Sequence, residues 1–263
     1  MSTMTEANVL DRRRLLRLAA LGAAGATLAV ATTDRAEATM PNPVKAIAFD
    51  GFVVFDPRPV FALGEALFPG QGAALAELWR TRQFEYCWLR TLTGGYADFW
   101  TVTEESLRYA AAQLKLDLTA EKRDRLMQSY LTLQAYPDVL PGLQRLRDAG
   151  IRLAFLSNLT ERMLTANLAS AGLGEFFEAL LSTDRVRAYK PDPRAYQMGI
   201  DALGLRREEI VFAAFGGWDA AGAKSFGYRT FWANRRALPV EELGIRPDAI
   251  GTTVGELAAF AGS

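Results

Sequence analysis

Five short apolar runs, at residues 44–49, 152–156, 179–182, 210–214 and 229–232, constrain this chain's fold more than any other feature. They are too short for helices and too continuously apolar for strands with one face in water, so they read as strands buried on both faces. Helical patterns separate them: 141–149 closed by Gly150, 161–171 closed by Gly172, 193–203 opened by Pro193, and 220–226. Strands alternating with helices predict a parallel sheet covered on both sides. One stretch interrupts the alternation. Between about 60 and 137, apolar residues recur at helical spacing through 75–89, 104–115 and 121–133, with no convincing strand. The expected molecule is an α/β fold: a Rossmann-like core with a parallel sheet (39–59 and 138–263), and a helical cap (60–137) inserted after the first strand.

Composition narrows the chemistry. The chain of 263 residues is 50% hydrophobic and 23% charged, ordinary for a globular protein. Its 30 basic and 30 acidic residues cancel, without the basic excess of a nucleic-acid binder. It contains no histidine. That excludes Ser-His-Asp and Cys-His nucleophile pairs and histidine metal sites, leaving carboxylate, hydroxyl, lysine and arginine chemistry. The single cysteine, Cys87, reads as a small buried hydrophobe on a helix.

The first 38 residues read as an export signal. Asp11-Arg12-Arg13-Arg14-Leu15-Leu16-Arg17 precedes an Ala/Leu/Gly-rich stretch at 18–31 and a small-residue site, Ala36-Glu37-Ala38. The order resembles a bacterial twin-arginine signal, with a mature chain starting near Thr39 and a periplasmic destination. The apolar stretch is short and interrupted by glycine, which disfavours a stable membrane anchor. The alternative is a cytoplasmic protein starting at Met40.

Asp50 ends the first apolar run. Ligands bind open α/β sheets beyond the carboxyl ends of the strands, and a carboxylate placed there can attack an electrophile to form an ester. Ser157 and Asn158 follow the second run. Lys190 lies in Tyr189-Lys190-Pro191-Asp192-Pro193, and Asp219 in Gly216-Gly217-Trp218-Asp219. Other roles compete. Asp50, Ser157 and Asp219 each suit a helix cap, Asp219 for a helix starting at Ala220, and Arg80 suits a surface ion pair on the helix face it shares with Arg82.

Acid, Ser/Thr, Lys and acid in this order resemble the haloacid dehalogenase superfamily across the whole mature chain. Trp79-Arg80, Phe84-Glu85-Tyr86-Cys87-Trp88-Leu89-Arg90, Leu156-Ser157-Asn158 and Trp218-Asp219-Ala220 are similar to its type II 2-haloacid dehalogenase branch. The resemblance implies hydrolysis of short (S)-2-haloacids to 2-hydroxy acids through an aspartyl ester. It also implies no cofactor, no metal and a possible homodimer. Asp50 is then the nucleophile and Arg80 assists the halide. Ser157 and Asn158 hold the carboxylate, Lys190 positions Asp50, Tyr196 supports Lys190, and Asp219 orients Lys190 or water. Phe52, Phe84, Phe99 and Trp218 are implied to wall the pocket. Phosphatases of the superfamily carry a second aspartate two residues after the nucleophile. Phe52 stands there and cannot protonate a leaving group, but a halide needs no proton. The chain departs from the branch in two loops. Asp50-Gly51-Phe52-Val53-Val54 lacks the usual Gly-Thr pair, and Phe215-Gly216-Gly217 lacks a serine and an asparagine. The alternatives are a divergent hydrolase such as a phosphatase, or a catalytically impaired carboxylate-binding protein of the same fold.

Overall fold

The computed structural model describes residues 43–262; the segment 1–38, expected to be an export signal, lies outside them. The first apolar run forms β1 (Ala46–Phe49), buried throughout. Asp50 ends it and caps α1 (Gly51–Val54) by accepting the Phe52 N–H at 2.9 Å. The chain passes through β2 (Phe55–Asp56) into α2 (Arg58–Leu67), α3 (Gly72–Thr93), α4 (Phe99–Gln113) and α5 (Ala120–Ser129). It returns through β3 (Gln134–Ala135), antiparallel to β2. The sequence showed no strand in this region, and β3 corrects that: two residues are too few to display an alternation, and only the partner strand defines them.

Helices and strands then alternate: α6 (Val139–Asp148), β4 (Arg152–Ser157), α7 (Glu161–Ala171), β5 (Ala179–Ser182), α8 (Pro193–Leu203), β6 (Ile210–Ala214), α9 (Gly217–Phe226) and β7 (Arg229–Ala233). Gly150 and Gly172, read as helix stops, have φ of 74° and 66°, the left-handed conformation that glycine adopts without a Cβ clash. β8 (Ala249–Gly251) and α10 (Val254–Ala261) complete the chain.

Six strands form one parallel sheet in the order β5-β4-β1-β6-β7-β8. Both faces are buried, as the unbroken apolar runs require. Ile47, Phe49, Phe155, Val211 and Phe231 point to one side, and Ala48, Leu156, Phe212 and Trp232 to the other. Phe155 stacks on Phe177 at 4.1 Å and on Phe55 at 5.7 Å, fastening β2 to the sheet. Since every strand runs the same way and β1 is internal, the residues following β1, β4 and β6 converge at one edge.

Arg235, just past β7, ties that edge together. Its guanidinium donates to both Asp138 carboxylate oxygens at 2.8 and 3.0 Å, to Val53 O at 3.0 Å and to Thr252 O at 2.9 Å. It also lies 3.9 Å from the Tyr136 ring centroid. Burial pushes the Asp138 carboxyl up, but Arg235 and the Val254 N–H override this and hold it below the ordinary value. Arg235→Ala is expected to lower the unfolding free energy in urea by about 3 kcal/mol, because it strands a half-buried carboxylate. A loss under about 0.5 kcal/mol, the size of an ordinary surface substitution, would show that the staple is idle.

Candidate active site

Lys190 is fully buried, which is tolerable for an ammonium only when it is paired. Its Nζ donates to Asp50 Oδ1 at 2.7 Å and to Asp219 Oδ2 at 2.7 Å, and sits 4.9 Å from the Phe212 ring centroid. Asp50 Oδ2 accepts the Phe52 N–H, so both carboxylate oxygens of Asp50 are held. Asp219 Oδ1 accepts the Tyr196 hydroxyl at 2.7 Å. The Asn158 side-chain oxygen accepts the Lys190 N–H at 3.2 Å, fixing the loop that carries the lysine. Ser157 Oγ accepts the N–H groups of Gly51 at 3.3 Å and Leu159 at 3.1 Å, fixing the loop after Asp50.

These contacts set the charges. Burial alone would push the Lys190 ammonium down, but Asp219 and Asp50 override it and hold it above the usual lysine range. Burial, together with the charge of Asp50, pushes the Asp219 carboxyl up to about 6, against the pull of Lys190 and Tyr196. Burial also raises Tyr196, reinforced by Asp219, so its hydroxyl stays a donor.

Asp50 faces a cavity of about 220 Å³ beneath α3. Phe52, Arg80, Phe84, Ser157, Asn158, Trp218 and Asp219 line it with Asp50. Phe84 packs on Trp218 at 5.2 Å, and Phe52 on Phe215 at 5.9 Å. Arg80 points into the cavity, whereas Arg82 pairs with Glu85 at 2.7 Å.

One predicted wall residue lies elsewhere, and the predicted support of Lys190 takes a different partner. Phe99 opens α4 fully buried against Tyr189, because its helix packs inward there. Tyr196 reaches Asp219 from behind the sheet edge and supports that carboxylate, rather than touching Lys190. The capping alternatives also resolve. Thr160, not Ser157, caps α7, and α9 starts at Gly217 with Gly216 as its cap, which leaves Asp219 in the first turn.

Several lining residues were missed. Gln83 lies one helical step from Arg80 and donates to Thr103 Oγ1 at 2.6 Å; the i, i+3 spacing was the available signal. Phe215 follows a strand end, also a readable position. Tyr130 ends the helical pattern of 121–133, where a ring reads equally well as core, and Arg236 and Glu241 lie in a segment without a pattern. Gly216 leaves no room for a side chain, and one at Gly217 would have to displace the exposed Glu241. A Cβ at 216 would meet Trp218 Nε1 at 2.8 Å, and one at 217 would meet Glu241 Oε1 at 2.9 Å.

The arrangement is a carboxylate nucleophile facing a largely apolar cavity, with a guanidinium opposite. It is a poor Mg²⁺ site. An ammonium already bridges the two facing carboxylates and occupies the place a cation would take, and among the described residues no group of three or more His, Cys, Asp or Glu side chains gathers.

Residues 44–227 match the family model of the haloacid dehalogenase-like hydrolases. An (S)-2-haloacid dehalogenase of Pseudomonas sp. (strain YL) is 42% identical over 206 residues, covering 78% of this chain and 89% of the relative. Among solved structures, the L-2-haloacid dehalogenase RSc1362 superposes with a TM-score of 0.82 at 41% identity, covering 84% of this chain and all of that one. The L-2-haloacid dehalogenase of Xanthobacter autotrophicus with chloropropionic acid covalently bound superposes with a TM-score of 0.76 at 33% identity, covering 82% and 98%.

The charge trio makes stability depend on pH in a definite direction. Between the ordinary aspartate value of 3.8 and about 6, folded Asp219 keeps a proton that the unfolded chain has released. Stability from this group therefore falls as pH rises through that window. Lys190, raised in the fold, contributes fully below its ordinary 10.5 and loses that contribution only at higher pH. Asp219→Asn cannot titrate. Relative to wild type it should gain up to about 3 kcal/mol between roughly pH 4 and 7, read from urea unfolding at both. A difference that does not change with pH would contradict the charge assignment.

Proposed function

The chain belongs to the haloacid dehalogenase-like hydrolases, and from that premise we propose that it hydrolyses short (S)-2-haloacids to 2-hydroxy acids. One observation carries the reading: Asp50, fixed by Lys190, faces a cavity in which the residue two positions on is Phe52 rather than a proton-donating acid. Such a site can expel a leaving group that departs as a stable anion. The relatives named above act on such substrates, and one holds chloropropionic acid covalently.

In the first step a carboxylate oxygen of Asp50 attacks C2. The new C–O bond forms as the carbon–halogen bond breaks, the halide takes the bonding pair, and C2 inverts. Arg80 offsets the charge of the departing halide. Ser157, Asn158 and nearby N–H groups hold the substrate carboxylate. Phe52, Phe84, Phe215 and Trp218 keep water from the nucleophile, which strengthens its attack. In the second step water attacks Cγ of Asp50 and the ester bond breaks. One water proton goes to the departing 2-hydroxy acid and the other leaves by way of Asp219, whose raised carboxyl suits a proton acceptor. Lys190 holds the Asp50 carboxylate in position for the next cycle, and no metal takes part.

The N-terminal 38 residues support export by the twin-arginine machinery to the periplasm. Arg12-Arg13→Lys-Lys should retain the full chain in the cytoplasm, whereas equal fractionation of variant and wild type would exclude that route.

Halide release from (S)- and (R)-2-chloropropionate with EDTA present tests the reaction. The expected result is release from the S form alone, abolished in Asp50→Asn. Release only with added Mg²⁺, or none from either enantiomer, would overturn the reading.

A further inference from the structure

Among the described residues, two arginines that line the cavity and act on each other as like charges make no ion pair. Arg80 and Arg236 both line the cavity that holds Asp50, and both line a neighbouring cavity of about 540 Å³. The two cavities share Pro57, Phe61 and Phe215 as well, so the arginines stand at their junction. The other arginines of the outer cavity are paired: Arg58 with Asp56 at 2.6 Å, and Arg235 with Asp138 at 2.8 Å. Among the described residues neither Arg80 nor Arg236 makes an ion pair within 4.0 Å. Burial lowers the Arg80 guanidinium, Arg236 lowers it further, and Glu77 draws it back.

Arg236 is held where it is. Its neighbour Arg235 is stapled to three segments. Asn234 brackets the turn, donating to Leu238 O at 2.8 Å and accepting the Leu238 N–H at 2.9 Å. Ala237 completes it with φ of 50°. A fixed turn that presents a guanidinium to a second guanidinium is repulsive until an anion lies between them.

The reaction proposed above needs one arginine, for the halide, and its substrate carboxylate belongs to Ser157 and Asn158. Arg236 is surplus to that chemistry. We propose that Arg236, with Arg80 beside it, binds a second carboxylate, so that the preferred substrates are 2-halo dicarboxylic acids. This rests on the dehalogenase reading. The outer cavity suits the distal end of such an acid: Phe61, Ala76 and Tyr136 can cover its methylene groups, and, with Arg58 and Arg235 paired, its lining sets Arg80 and Arg236 against the one carboxylate Glu77. A second carboxylate would meet Asp50, Asp219 and Glu241 in the inner cavity but only Glu77 in the outer one, which favours the outer position.

The test compares kcat/KM for (S)-2-chlorosuccinate and (S)-2-chloropropionate in wild type, Arg236→Gln and Arg236→Lys. Arg236 is exposed, so its effect is modest and screened by salt. Wild type should prefer the diacid by about tenfold; Arg236→Gln should erase that preference, mainly through KM, and Arg236→Lys should keep most of it. Calorimetric binding of succinate and propionate to the same proteins reads the subsite without turnover. Succinate should bind about tenfold tighter than propionate to wild type, and not to Arg236→Gln. Halide release with no diacid preference would overturn the subsite and leave the dehalogenase reading intact. No halide from either acid, with succinate binding that depends on Arg236, would overturn the dehalogenase reading and leave the subsite. Equal binding of both acids to all three proteins would overturn the subsite.

Discussion

An ammonium clamped between two carboxylates organises this molecule's chemistry. Burying Lys190 is unfavourable unless both Asp50 and Asp219 answer it, and each lies 2.7 Å away. Those acids come from different strand ends, and the lysine comes from the loop before α8. The trio therefore exists only when the parallel sheet has brought the three together. Two carboxylates against one ammonium leave a unit of negative charge when all are ionised. That excess keeps a nucleophile available in a chain without histidine. The surrounding hydrogen bonds serve this charge balance: Tyr196 steadies Asp219, Asn158 steadies the lysine loop, and Ser157 steadies the turn after Asp50.

The fold was legible where the sequence carried a period. Strands buried on both faces appear as unbroken apolar runs, and α7, α8, β5 and β6 have the bounds read from the sequence. Elements held by partners rather than by pattern were not legible. β3 is two residues long, and β8 has an intermediate, an exposed and a buried residue, with no alternation to detect. The insertion announced itself as helical, but not how its chain ends are joined.

The site divides the same way. Asp50 and Asp219 are short-range signals, acids in loops that follow apolar runs, Lys190 stands out by its Tyr189-Lys190-Pro191-Asp192-Pro193 segment, and the structure brings the three together. Aromatic residues are less informative, because a ring serves equally well in a core or a wall. Phe99 and Tyr196 went to the core, while Phe215 and Phe61 took the wall. Arg236 and Glu241 reach the cavity from the long connection between β7 and β8. They are placed there by the anchoring of Arg235 and the Asn234 turn, neither of which leaves a trace in composition or spacing.

The β2–β3 ribbon has a consequence for how such a protein changes over generations. Phe55 pairs with Ala135 and Asp56 with Gln134, so the chain leaves for the four helices and returns from them side by side. The entropy of closing that long excursion is absorbed at the ribbon rather than at the sheet. To the sheet, the excursion is equivalent to a tight hairpin, whatever its length or content. Lineages can therefore rewrite α2 to α5, and with them the ceiling of the cavity, while Asp50, Lys190 and Asp219 remain in register. The charge trio and the ceiling above it are carried on one chain but answer to separate constraints.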